Sequence, residues 1–179
     1  MRRKKFGFTL VEIMVSVFLA SFIFGVVLFL YLGSQRSFDS GRIYSDIYAD
    51  ARLALDWMSR DIKGASEIVS AADSSLVLKI SSIYADDIIP GKYDRLTYSI
   101  YQPTASDIPL LKRTMDADAN SSRYIPGDNP KTTTIANNIS SLIFTSAGTY
   151  VTIELTASRT RLNRVYQETL NSVVKLRNK

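Results

Sequence analysis

From Ile13 to Gln35 the chain carries no charged residue. As an α-helix this stretch of roughly 23 residues would be about 35 Å long, enough to cross the hydrocarbon core of a bilayer. Arg2, Arg3, Lys4 and Lys5 stand just before it. Cationic residues on that flank leave the amino end in the cytoplasm and send everything after about Gly33 across the membrane. A secretory signal peptide would have an apolar core of only about 7 to 15 residues followed by a small-x-small cleavage site. The run is longer than that, and no Ala-x-Ala-like site precedes the polar stretch Ser34 to Ser40. Two lysines after Arg2 and Arg3 also make a poor twin-arginine signal.

The remainder is long enough for one folded domain: the chain has 179 residues and a mass of 20.0 kDa. It has no cysteine and no histidine. Disulfide frameworks, thiol nucleophiles, imidazole bases and the usual zinc and haem ligands are thereby removed. No nucleophile and base can be paired from what is left, so neither an enzyme nor a cofactor is expected. The net charge of +5 and the pI near 9.4 invite a nucleic-acid reading. Four of the 22 basic residues lie at positions 2 to 5, however, and a chain cut after Gly7 keeps 18 basic against 17 acidic residues. Without its first residues the protein is almost neutral.

Glu12 sets this apolar segment apart from an ordinary anchor. A carboxylate inside a membrane helix costs about 2.5 to 3.5 kcal/mol on insertion scales, so it calls for a partner. One partner would be Lys4 or Lys5, or a headgroup at the interface. The string Lys5-Phe6-Gly7-Phe8-Thr9-Leu10-Val11-Glu12 resembles the class III signal of type IV prepilins, in which a basic leader and Gly-Phe precede Thr-Leu-Val/Ile-Glu at the head of an apolar helix. The resemblance implies a prepilin peptidase that cuts between Gly7 and Phe8, methylation of the new amino group on Phe8, and a Glu12 that offsets the charged amino terminus of a neighbouring subunit. It also implies other pilins or pseudopilins and an inner-membrane assembly platform as partners. An ion pair formed in lipid would relieve a costly charge and so select one stagger of adjacent helices. Many family members carry a proline in the membrane half of the helix, whereas here the first proline is Pro90. Gly25 and Gly33 are the only breakers in that half.

Beyond the membrane, Ile43, Ile47, Ala51, Ala54, Leu55, Met58 and Ile62 recur at steps of three and four, the stripe of an amphipathic helix. Arg42, Asp46, Asp50, Asp56 and Arg60 fall mainly on its other faces, Trp57 is a packing anchor, and Gly64 is a fitting stop. From Ser75 the pattern turns strand-like, at residues 76–80, 96–101, 110–113, 139–144, 150–156 and 169–176. Ile89-Pro90-Gly91-Lys92 reads as a turn-rich separator and Ser146-Ala147-Gly148-Thr149 as a hairpin connection. The last strand ends almost at the carboxyl terminus, which suggests a chain end fixed into the sheet. The expected fold is α+β, a long amino-terminal helix packed on an antiparallel β-sheet. Its segments are a leader at 1–7, a membrane and assembly half of the helix at 8–33, an amphipathic half at 34–64 and a globular β-rich domain outside the membrane at 65–179.

Residues 52 to 63, with a final Val-Lys-Leu-Arg-Asn, resemble minor pilins of the PilW type and the J-type minor pseudopilin of type II secretion. That resemblance implies a single-pass inner-membrane protein that passes into a filament, there initiating or tipping a type IV pilus. The alternative is a pseudopilus component that drives protein export.

Two further groups of residues invite a binding role. Asp116, Asp118 and Asn120 alternate like the oxygen ligands of a calcium loop. Ser121 and Gly127 then stand where an EF-hand needs its glycine and its bidentate glutamate, so a solvated polar loop explains the cluster better. Tyr93, Tyr98, Tyr101, Tyr124, Tyr150 and Tyr166, with Arg159, Arg161 and Arg164, could form a stacking and phosphate-binding surface for DNA. Strand propensity is the simpler cause of the tyrosines, and the arginines read as an exposed loop.

Overall fold

A computed structural model describes residues 9–105 and 107–177. Helix α1 runs over Leu10–Gly64 and is followed by eight strands. The chain divides after Arg42 into two units. In the first, α1 passes through Gly25, Gly33 and Gly41 without interruption. Its large apolar side chains between Leu10 and Leu32 are 43% to 77% exposed. The hydroxyls of Ser16, Ser21 and Ser37 donate to the carbonyls of Glu12, Val17 and Gly33, four residues back. Polar groups that return to their own helix in this way need no water.

In the second unit, the part of α1 from Ile43 onward buries the stripe Ile43, Ile47, Ala51, Ala54, Met58 and Ile62. Gly64 is the last helical residue rather than a left-handed cap beyond it, and the Ala65 N–H closes the final turn on the Ile62 carbonyl at 3.2 Å. Strands β1 (Glu67–Ala72), β2 (Ser75–Tyr84), β3 (Asp87–Tyr101), β4 (Leu110–Asp116) and β5 (Lys131–Asn137) form one antiparallel sheet in sequence order. A second antiparallel sheet holds β6 (Ile139–Ala147), β7 (Tyr150–Arg161) and β8 (Arg164–Lys175). The strands therefore form two sheets, with β6 alongside β1 to β4. Leu76, Leu78, Leu96, Tyr98 and Leu111 from the first sheet meet Leu142, Ile153, Leu155 and Val174 from the second in one core with the helix stripe. Each of the larger side chains there contributes about 1.5 to 3 kcal/mol by leaving water.

The hairpins turn on two-residue connections with positive φ. Ala85 and Asp86 (φ 47° and 69°) join β2 to β3, and Leu162 and Asn163 (φ 49° and 58°) join β7 to β8. Two successive left-handed residues match the twist of the strands they connect. Between β6 and β7 the chain turns at Gly148 (φ 62°) and Thr149, inside the connection read from the sequence.

Three sequence readings need correction. Ile89 to Lys92 do not separate strands: they lie within β3, as extra backbone opposite Ser82 where the β2–β3 register shifts. A bulge absorbs the Pro90-Gly91 pair, with Gly91 at φ 73°. Arg159, Arg161 and Arg164 lie on β7 and β8, flanking a two-residue turn, and not in a loop. Asp50 is half-buried, and its carboxylate accepts from Asn138 Nδ2 at 2.9 Å. At the chain end, the Leu176 N–H donates to the Thr149 carbonyl at 2.8 Å and the Arg177 N–H to that of Lys63 at 3.3 Å. These bonds tie the terminus to the sheet and to the end of α1.

Candidate assembly site at the start of the helix

Thr9 and Glu12 form one half of a capping box. The Glu12 N–H donates to Thr9 Oγ1 at 3.2 Å, while the Ile13 N–H closes the first turn on the Thr9 carbonyl at 3.2 Å. Thr-x-x-Glu is the residue pattern that starts helices, because the hydroxyl takes an N–H that the helix itself cannot. Glu12 thus stands in the first turn, where a negative charge faces the positive end of the helix dipole.

That local role does not account for a carboxylate in an apolar segment. The dipole supplies about 0.3 to 1 kcal/mol, against the 2.5 to 3.5 kcal/mol or so that burial in lipid costs. Among the described residues the Glu12 carboxylate has no hydrogen-bond or ion-pair partner. Gly7 and Phe8 lie outside the described residues, as do Lys4 and Lys5. Among the described residues, a Cβ added at Gly25 or Gly33 would meet nothing within 4 Å.

Several of the other candidate residues have partners of their own. Asp118 Oδ1 accepts from the Asn120 N–H at 2.9 Å and from Asn120 Nδ2 at 2.8 Å, and Asp116 Oδ1 accepts from Asn129 Nδ2 at 3.1 Å. Those hydrogen bonds, led by the Asn120 N–H, hold the Asp118 carboxyl below its ordinary range, with the Lys92 ammonium 3.5 Å away. Among the described residues no three acidic side chains gather as metal ligands. The tyrosines are dispersed: Tyr93, Tyr98 and Tyr101 lie on β3, Tyr150 on β7, Tyr166 on β8, and Tyr124 in the 117–130 connection. Tyr98 is buried on Asp61, Tyr166 meets Tyr44 edge-on at 5.3 Å, and Tyr101 lies under the Lys112 ammonium at 3.2 Å. Arg159 stands 3.8 Å from Asp46.

Sequence reasoning missed two polar clusters that shape the globular unit. Asp94 is fully buried and accepts from Ser82 Oγ (2.7 Å), the Asp118 N–H (3.0 Å), Ser121 Oγ (3.0 Å) and Arg123 Nη1 (2.6 Å). Burial opposes its ionisation, but these donors, Arg123 foremost, outweigh burial and hold the carboxyl below the usual range. The cluster fastens the long 117–130 connection onto β2 and β3. Asp61 on α1 accepts from Tyr98 Oη at 2.5 Å and Arg113 Nε at 2.8 Å, joining helix to sheet. The signal for Asp94 was present: it shares the inward period-two face with Leu96 and Tyr98.

Comparison with protein families matches residues 2–28 to the prokaryotic N-terminal methylation motif. No curated protein and no solved structure matches the chain. A type IV prepilin-like signal, a helix long and apolar enough to cross a membrane, and antiparallel sheets behind it support a pilin-like, membrane-anchored structural subunit rather than an enzyme.

Proposed function

We propose that the chain is a minor pilin or pseudopilin that initiates or tips a type IV filament. In this reading a peptidase removes residues 1–7, the new amino group of Phe8 is methylated, and residues 8–33 hold the subunit in the inner membrane until assembly. The amino end then faces the cytoplasm and residues 65–179 lie outside. The observation that carries this reading is the methylation motif at 2–28, whose helical part presents exposed apolar side chains from Leu10 onward. Such a surface is stable in lipid or against other apolar helices, and assembly exchanges one for the other. Glu12 gives the exchange a register, because its carboxylate is relieved where a neighbour's positive amino terminus comes alongside. Residues 52–63 and the final Val-Lys-Leu-Arg-Asn resemble the J-type pseudopilin as well as PilW-type minor pilins, which keeps, as a second reading, a pseudopilus that drives protein export. Genes for pilus retraction or competence beside this one support the first reading, and an outer-membrane secretin with export genes the second.

The test is Glu12→Ala in cells, followed by fractionation of sheared filaments. Processing is expected to continue while incorporation falls, since removal of the carboxylate abolishes both the cost of burial and the pairing. Normal incorporation of the variant would overturn the role given to Glu12.

A further inference from the structure

Beneath the edge strand β5, a cleft of about 190 Å³ is lined by Trp57, Arg113, Thr133, Thr134 and Ile135. Two guanidinium groups stand over the indole, Arg60 at 4.1 Å and Arg113 at 5.9 Å from the ring centroid. Arg113 is held by Asp61 through Nε at 2.8 Å, on the same carboxylate that Tyr98 meets, and this fixes its guanidinium at the cleft wall. Arg60 follows Asp56 by one helical turn yet makes no ion pair with it, and it stacks on Trp57 instead. Asp61 engages Arg113, while Arg60 contacts the indole and not that carboxylate. Fixed donors on an aromatic wall, with threonine hydroxyls opposite, are the chemistry that receives a carboxylate.

The same chain presents a matching group elsewhere. Asp86 and Asp87 form its only adjacent acidic pair, at the tip of the β2–β3 hairpin. Neither has a partner among the described residues, and they lie between Tyr84 and Ile88, which are 66% and 67% exposed. We propose that the Trp57–Arg60–Arg113 cleft receives the Asp86–Asp87 hairpin tip of a second copy of this chain. The two surfaces differ, so the contact is head-to-tail and can repeat from one copy to the next. That suits a filament. The inference rests on the subunit reading above and deepens it, placing two or more copies in succession at the initiating end.

The chain has no cysteine, so an introduced pair reports only on itself. The test uses the full chain in membranes with Ala85→Cys beside the acidic tip and Thr133→Cys in the cleft, under mild oxidation. A ladder of disulfide-linked multimers is expected. Adding Arg60→Glu should reduce the ladder about tenfold, because like charges then face each other across the contact. Combining Arg60→Glu with Asp86→Arg and Asp87→Arg should restore it, and Arg60→Lys should leave most of it. Correct folding of the swapped variant is built into that rescue. No ladder from a chain that is processed to Phe8 overturns this inference and leaves the subunit reading standing, whereas absence of processing counts against the subunit reading itself. Cross-linking as strong with Ala85→Cys alone, or unaffected by Arg60→Glu, would equally overturn the proposed contact.

Discussion

Replacing Asp94 with alanine removes one acceptor from four donors. Ser82, Ser121 and the Asp118 N–H are left without the carboxylate that they meet at 2.7 to 3.0 Å, and Arg123 loses the carboxylate it meets at 2.6 Å. Breaking a buried ion pair by deleting one partner costs about 3 to 5 kcal/mol. The Arg123 side chain is 31% exposed and can turn toward water, which places the loss near the lower end, about 3 kcal/mol. Asp94→Asn keeps an acceptor for Ser82 and Asp118 but not the charge, and should cost about half as much. Trp57 is the only tryptophan, so urea unfolding of the full chain in detergent can be followed by its fluorescence. Hydrogen exchange adds a local readout: amides across 117–130 should lose protection in Asp94→Ala while those of β7 do not. A cost below about 0.5 kcal/mol, the usual range of an unremarkable surface change, would refute the reasoning, as would unaltered protection of the connection. The same carboxyl sets a pH dependence. Its folded-state pKa is depressed, so its contribution is complete above the unfolded value of about 3.9 and is lost as pH falls through the lower folded value. In Asp94→Asn that acid-side loss of stability should be smaller.

Tyr98→Phe should cost about 1.5 to 3 kcal/mol in the same unfolding assay, since it deletes a buried hydrogen bond to the charged Asp61. Burial and the neighbouring Asp61 push the Tyr98 hydroxyl far up, so in an alkaline absorbance titration one tyrosine fewer should ionise before unfolding in the wild type, with no such deficit in the variant. Met58 is fully buried in the helix stripe, and Met58→Ala should lower stability by about 2 to 5 kcal/mol while leaving leader cleavage unchanged on a gel.

The helix and most strands were legible because their periods are written in side chains. Ile43 to Ile62 recur at helical steps, and Leu76 to Ile80 and Leu96 to Tyr101 alternate or run apolar at strand length. Strand β1, Glu-Ile-Val-Ser-Ala-Ala, is short and half-polar, and β5 begins Lys-Thr-Thr-Thr, an edge strand with little to bury. Such strands are specified by the neighbours they pair with more than by their own residues. Pro90-Gly91 misled for a related reason: a bulge lets a strand contain residues that otherwise end one. At the candidate site, Glu12 could be picked out because a charge is conspicuous against a wholly apolar background. The Asp94 and Asp61 clusters could not be assembled, since their partners come from 12 to 52 residues away. The arginines of the Trp57 cleft likewise acquire meaning only when β4 is set against α1.

The most direct measurement is the mass of the natural protein's amino-terminal peptide, isolated from the membrane or filament fraction. Expected is a chain beginning at Phe8 with one methyl group on its amino nitrogen. A polypeptide that still carries Arg2-Arg3-Lys4-Lys5, or one recovered free in the cytosol, would contradict the filament-subunit reading.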